Sequence, residues 1–430
     1  YSGLVSTPSE IIVEGGLIKT TQIRAFENRF LNFRQTGGIV DFYTRSGAPE
    51  KSPVFSMPYS EQVFEMSGGT MIFRVANNNN VSGVFINVAE SNSNITGGEV
   101  VVHTSGLDQH LKICSTAPVF NLSTVGVHAT HEVQMTNQYG ILTDTYHYGD
   151  FSILGDLNIG AGSRFNTGAY NLVVGGDVKL FGTFINNGTL GLNGTKSSVL
   201  ENNTSSTFSI ANLYLTKSSS DAIVTISGTG SNSFSFGQVN LNRGNLDLSN
   251  KSVTVTGAVN LHNGSLLATG TGSATLSDKV TLNSSRGKEN NFGYLKLASG
   301  ATVNLSSHAK AKKVDFLGNG IFNIGTYNLE IEDSKYSGTG WSKDKMFRTT
   351  GKSSDGGLTL PVDASAGTEA DQLIQFFPVG NSENYSPFEV LTRSQVTSEI
   401  QGLLSFIPVY SIHPSQNTGG SGAANFYFRI

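Results

Sequence analysis

The side chains able to do chemistry are few, and their spacing limits what that chemistry can be. The sequence holds eight histidines: His103, His110, His128, His131, His147, His262, His308 and His413. Nearest to a metal-binding pattern is His128-Ala129-Thr130-His131-Glu132. On a helix, residues i and i+3 share a face, so two imidazoles and a carboxylate would converge on a zinc ion. The surrounding stretch 125–133 has strand composition, in which i and i+3 point to opposite sides. The order of His and Glu also differs from that of the zinc proteases. These histidines read as surface residues. Asp144, His147 and Asp150 share the spacing and meet the same objection, reading as a loop between two repeat regimes.

Carboxylate chemistry is equally thin. Acid–base catalysis or calcium binding on a repeat scaffold needs several carboxylates on neighbouring repeats. Asp156, Asp177, Asp221, Asp247, Asp278 and Asp315 are mostly isolated, and Asp-Asp, Asn-Thr-Asp, Gly-His-Gly and Arg-Ile-Lys do not occur. Asp156 and Asp177 would stack one coil apart, but each follows a glycine in a turn, where Asp serves the backbone. The Gly-x-Gly pieces at Gly160, Gly228 and Gly270 have no helix after them, so phosphate binding is not supported. Gly175-Gly176-Asp177 is half a calcium-binding nonapeptide that never continues in tandem. Hence no catalytic, cofactor-binding or metal-binding residue is assigned, and no cofactor is expected.

Composition says what kind of chain carries these groups. Of 430 residues only 14% are charged, where about 25% is usual, and 50 are glycine. Glycine and short polar residues are poor helix formers, which excludes a compact helical protein. Ten prolines without a period exclude collagen, and 26 Phe with 14 Tyr exclude disorder. The net charge is −4 with both signs well mixed, so a nucleic-acid partner is not expected. Lys310, Lys312 and Lys313 form the one basic cluster and read as a solvated turn. Cys114 is the only cysteine, so stability must come from backbone pairing and core burial rather than disulfides. No apolar run approaches the roughly 20 residues of a membrane span. The first residues, Tyr1-Ser2-Gly3-Leu4, lack the marks of a signal peptide, so the sequence reads as a mature form or an excerpt.

Internal repetition supplies the elements. A Gly-Gly pair precedes an alternating segment at Gly15-Gly16, Gly37-Gly38, Gly68-Gly69 and Gly97-Gly98, at intervals of about 22, 31 and 29 residues. From about residue 150 short apolar-x-apolar segments take over, at Leu157–Ile159, Val178–Leu180, Leu213–Leu215, Val239–Leu241, Val259–Leu261, Val280–Leu282, Leu295–Leu297 and Val314–Phe316. Most of their intervals lie at roughly 20 residues or a small multiple of that step. Asn166-Thr167-Gly168-Ala169-Tyr170-Asn171-Leu172 returns as Asn323-Ile324-Gly325-Thr326-Tyr327-Asn328-Leu329. Propeller blades need about 40 residues and leucine-rich repeats need regularly spaced Leu.

An all-β fold follows: a parallel β-helix or β-solenoid whose coils stack about 4.8 Å apart, with a small terminal β-sandwich or cap. A tandem of two-sheet sandwiches is the alternative. Roughly 15–17 coils would make a rod on the order of 75 Å long. Asn at equivalent turns is expected to stack into amide ladders. Three regions are read: 1–140 with the Gly-Gly repeats, 141–350 with coils of roughly 20 residues, and 351–430 as closing segment and cap. Phe26, Phe30 and Phe33, and again Val396, Ile400 and Leu403, have the i, i+4, i+7 spacing of helices.

Several phrases carry a resemblance. Ala117-Pro118-Val119-Phe120-Asn121-Leu122, Leu154-Gly155-Asp156-Leu157-Asn158-Ile159, and residues 166–174 continuing into Gly175-Gly176-Asp177-Val178 resemble repeat regions of very large Bacteroidetes surface adhesins. Those are type IX secretion cargo and include the gliding-motility adhesins. The run from Phe347-Arg348-Thr349-Thr350-Gly351 through Phe377-Pro378-Val379-Gly380 and Tyr385-Ser386-Pro387 is similar to the segment closing such a block. The resemblance covers roughly residues 110–390. It implies a non-enzymatic adhesin or filament segment at the cell surface, self-associating into a homo-oligomeric fibre, with surface glycans or other cells as partners. A type IX sorting domain is not visible, so the export signal would lie elsewhere on the chain or on another subunit. The rivals are a carbohydrate-active β-helix enzyme, since pectin lyases and polygalacturonases share the architecture, and a glycan-binding module showing a row of exposed aromatics.

Overall fold

A computed structural model describes residues 8–25, 29–43, 53–75, 83–107, 110–128, 130–137, 151–229, 233–333, 338–411 and 427–430. The chain is nearly all β and forms a parallel β-solenoid of about 14 turns. It divides into two compact units, residues 1–232 and 233–430.

In the first unit one ladder runs through strands Ser9–Val13, Leu31–Gln35, Phe64–Phe73, Ser93–His103, Asn121–Val125, Leu157–Ile159, Val178–Leu180, Ser198–Asn202 and Ile223–Ser227, each parallel to the next. A second passes through Phe55–Met57, Val84–Ile86, Leu111–Ser115, Val133–Met135, Arg164–Gly168, Thr183–Leu192 and Phe208–Thr216. Alternate residues enter the core: Leu157 and Ile159 are fully buried while Asn158 faces out.

The Gly-Gly recurrence is the turn of the solenoid. Leu17 pairs with Ile39, Ile39 with Thr70 and Thr70 with Glu99, so the strand register advances by the same steps as the glycine pairs. The glycines stack directly, since a Cβ on Gly37, Gly68 or Gly97 would lie 2.3–2.4 Å from a backbone oxygen of the turn before. The second glycine of each pair has φ between 68° and 94°, the left-handed region that side chains resist. The turns are fewer than the sequence suggests because several are long. The register steps from Phe33 directly to Phe64 and from Leu122 directly to Leu157.

In the second unit Phe234–Arg243, Ser252–Leu261, Ser273–Leu276, Tyr294–Leu297 and Lys313–Phe316 form one parallel ladder. Lys279–Ser284, Thr302–Leu305, Gly320–Asn323 and Lys345–Arg348 continue another. Pairing reverses at the end. Leu358–Ala364 is parallel to Leu329–Ile331 on one side and antiparallel to Ile400–Val409 on the other. Antiparallel pairing of Leu373–Phe377 with Phe388–Leu391, and of Ile400–Val409 with Tyr427–Arg429, completes the cap. The rings of Phe377, Phe388, Phe406 and Phe428 pack together there, with Phe377 and Phe406 fully buried.

Both helical expectations fail. Phe33 lies in strand Leu31–Gln35 and Leu403 in strand Ile400–Val409, while Phe26 falls outside the described residues. Among the described residues the only helical segments are three 3₁₀ turns of three residues each. A continuous neighbouring strand satisfies every backbone group of a paired segment, and that outweighs an i, i+4, i+7 coincidence.

Candidate functional site

Several polar side chains at the ends of strands accept a backbone amide of the turn that follows. Asn121 Oδ1 accepts the N–H of Asp156 at 2.8 Å, Asp156 Oδ1 that of Asp177 at 2.8 Å, and Asp177 Oδ1 that of Val199 at 2.9 Å. The two aspartates thus do stack one turn apart, as rungs of a ladder of backbone caps. In the second unit Asn245 Oδ1 takes Ser265 N–H at 2.8 Å, and Asn250 Oδ1 takes Thr271 N–H at 3.0 Å. Asp247 accepts from the amides of Ser249 and Thr269 and the Thr269 hydroxyl. Burial raises its carboxyl, but these bonds outweigh burial and hold it below the ordinary range. The expected pairing of Asn side chains is found on strands, with Asn260 Nδ2 on Asn240 Oδ1 and Asn323 Nδ2 on Asn304 Oδ1, both 2.7 Å.

The histidines occupy a corner rather than a strand, because strand Asn121–Val125 ends before His128 and strand Val133–Met135 begins after His131. Their rings therefore meet: His128 stacks on His131 at 4.2 Å, and His110 meets His131 edge-on at 5.6 Å. His128 Nδ1 accepts the amides of Thr130 and His131, and His110 Nδ1 accepts that of Glu132. A neutral imidazole that accepts at Nδ1 carries its proton on Nε2, so neither Nε2 offers a lone pair to a metal. His131 Nδ1 donates to Leu107 O at 2.9 Å. Among the described residues no three His, Cys, Asp or Glu side chains converge as a metal group. Asp144, His147, Asp150 and His413 lie outside the described residues.

Glu132 is 6% exposed and meets Gln134 Nε2 at 2.9 Å, Asn166 Nδ2 at 3.0 Å and Arg164 Nε at 3.2 Å. Burial raises its pKa, but the two amides and the Arg164 charge prevail and hold it below the ordinary value. It is a fixed anion and not a proton donor. Tyr294 gives its hydroxyl hydrogen to Asp315, with the ammonium groups of Lys296 and Lys313 4.9 and 4.7 Å from its ring centroid. Burial first, then Asp315, raises its pKa, so the phenol is a donor and not a base.

The basic cluster is a solvated turn only at Lys312, which is an exposed bend between two strands. Lys310 belongs to strand Ala309–Ala311 and pairs with Glu332 at 2.8 Å and Glu330 at 3.5 Å, while Lys313 pairs with Asp315 at 3.2 Å. The two Lys310 pairs join one turn to the next, and no local sequence signal reveals them.

No sequence pattern marks Lys217. It is 1% exposed, donating to Ser198 Oγ at 2.9 Å and Gly175 O at 3.5 Å, and so ties three turns together. Burial lowers its pKa against a smaller opposing effect of Asp177. The folded chain therefore releases this proton at lower pH than the unfolded chain. The contribution is complete above the unfolded value of 10.5 and is lost as pH falls through the folded one. Lys217→Met is expected to abolish this alkaline gain and to leave stability at pH 7 unchanged or up to about 2 kcal/mol higher. Urea titrations of both proteins at pH 7 and 10 measure it. A variant with the same pH dependence as wild type contradicts the assignment.

No protein-family model, curated protein or solved structure matches the chain.

Proposed function

We propose that the chain is a non-enzymatic segment of an extracellular adhesin or filament. It holds binding surfaces away from the cell and carries tension during attachment or gliding. One observation supports this reading above the rest: carboxylates and imidazoles at the corners accept backbone amides of the next turn, so their lone pairs reinforce the stack. Backbone pairing along parallel ladders distributes load over many hydrogen bonds at once. The resemblance to Bacteroidetes surface adhesins supports the cell-surface location and type IX export. Low charge and polar outward faces suit lateral packing of identical copies into a fibre.

Negative-stain imaging of the native assembly tests the filament, with fibres expected; globular monomers alone count against it. Single-molecule pulling tests the mechanics. A quasi-one-dimensional stack should yield in successive steps of one or a few turns. A turn of about 22–31 residues releases roughly 75–110 Å of chain. A single all-or-none rupture of each unit would contradict the mechanism, and release of reducing ends from polysaccharide would replace it with the enzymatic alternative.

A further inference from the structure

We propose that a notch above Phe181, in the first unit, binds neutral sugar rings. The notch arises from corner lengths. Between strands Leu157–Ile159 and Arg164–Gly168 the chain takes four residues to turn, and between Ser198–Asn202 and Phe208–Thr216 it takes five. Between Val178–Leu180 and Thr183–Leu192 it takes two, Phe181 and Gly182. The middle corner is thus recessed between two longer ones, and an open cavity of about 360 Å³ results. That lies at the small end of the roughly 300–1,000 Å³ typical of small-molecule sites.

The floor is rigid. Gly182 N–H bonds to Ile159 O at 3.0 Å, and a Cβ there would lie 2.3 Å from Gly160 O and 2.4 Å from Ser163 O. Phe181 itself is 50% exposed, whereas Phe184 and Phe208 beside it are buried. One wall is also fixed in advance: Asn202 Oδ1 accepts from Thr204 N and Oγ1 at 3.1 and 2.8 Å, and Asn202 Nδ2 donates to Ser206 O at 3.0 Å. Ser205 stands exposed on that wall.

The lining selects the ligand. It contains no Lys, Arg, His, Asp or Glu, so neither a phosphate nor a cation finds a countercharge. A wholly apolar ligand would cover amides and hydroxyls without satisfying them. A pyranose fits both requirements. The C–H groups of one ring face lie on the electron-rich face of Phe181, and its hydroxyls exchange hydrogen bonds with the amide and hydroxyl rim. This names a ligand class for the attachment role proposed above and rests on that reading; its test needs neither a cell nor an assembly. Fibre formation and sugar binding can therefore fail separately.

The experiment uses the full chain over immobilised dextran, galactan and mannan, with polygalacturonate as the anionic contrast. Wild type should bind at least one neutral polymer saturably. Phe181→Ala should weaken that binding about tenfold, and Ser205→Trp, on the exposed wall, should block it. Tyr214→Ala, which removes another exposed ring on strand Phe208–Thr216, should bind as wild type with an unchanged melting temperature. The proposal is overturned if wild type binds none of the neutral polymers or prefers polygalacturonate. Wild-type affinity in both notch variants, or equal loss in Tyr214→Ala, also overturns it.

Discussion

Gly38→Ala is expected to destabilise the first unit by roughly 2–5 kcal/mol, while Gly16→Ala costs only about 1–2 kcal/mol. Both residues are left-handed, with φ of 68° and 73°, so both alanines meet the same backbone strain. Their surroundings differ. Nothing lies within 4 Å of a Cβ added at Gly16. At Gly38 the added carbon would lie 2.6 Å from Gly15 C, 2.7 Å from Gly15 O and 2.8 Å from Gly16 O, all backbone atoms that cannot rotate aside. The alanine must push its turn away from the one before, breaking the pair Leu17–Ile39 between them. Urea unfolding followed by circular dichroism measures the difference. Equal losses at the two positions would show that the stacking of glycine turns contributes nothing beyond local backbone preference.

The same stacking explains what the sequence made legible. Where one turn lies directly on another, a residue without a side chain must recur at the same angular position. The intervals between Gly15, Gly37, Gly68 and Gly97 therefore equal the strand registers. Apolar alternation was legible for a similar reason, because a three-residue strand such as Val178–Leu180 buries its first and third residues and exposes the middle one. Contacts between turns were not legible. Glu132 meets Arg164 at a separation of 32 residues, and Lys217 meets Ser198 at 19, distances fixed only once the register is known. The corner holding His128 has strand composition because Val125 and Val133 are strand residues, yet the chain turns between them. The Phe181 notch needed the lengths of three corners compared in register, and one exposed aromatic carries no periodic signal.

Phe55→Ala is expected to cost about 3–5 kcal/mol. Phe55 is fully buried and touches three other rings: Phe33 at 5.3 Å edge-on, Phe64 at 5.9 Å and Phe42 at 6.1 Å. Those rings belong to columns that follow the strand register, Phe33 over Phe64 and Phe42 over Phe73, the latter stacked at 4.7 Å and 4°. Phe55 comes from the facing ladder and wedges between the columns, so its removal strips edge contacts from both. A residual space of about 20 Å³ already lies beside Phe55, Phe64, Met71 and Phe73, and truncation of Phe55 would enlarge it. Phe55→Leu keeps most of the volume and should lose less than half as much. In a stack where each turn contacts only its neighbours, the damage should also stay local. Hydrogen exchange should accelerate around strands Leu31–Gln35, Phe55–Met57 and Phe64–Phe73, and remain at wild-type rates in Phe208–Thr216. Uniform acceleration across the whole unit would mean that it unfolds as one cooperative block, and stepwise yielding under force would then be excluded as well.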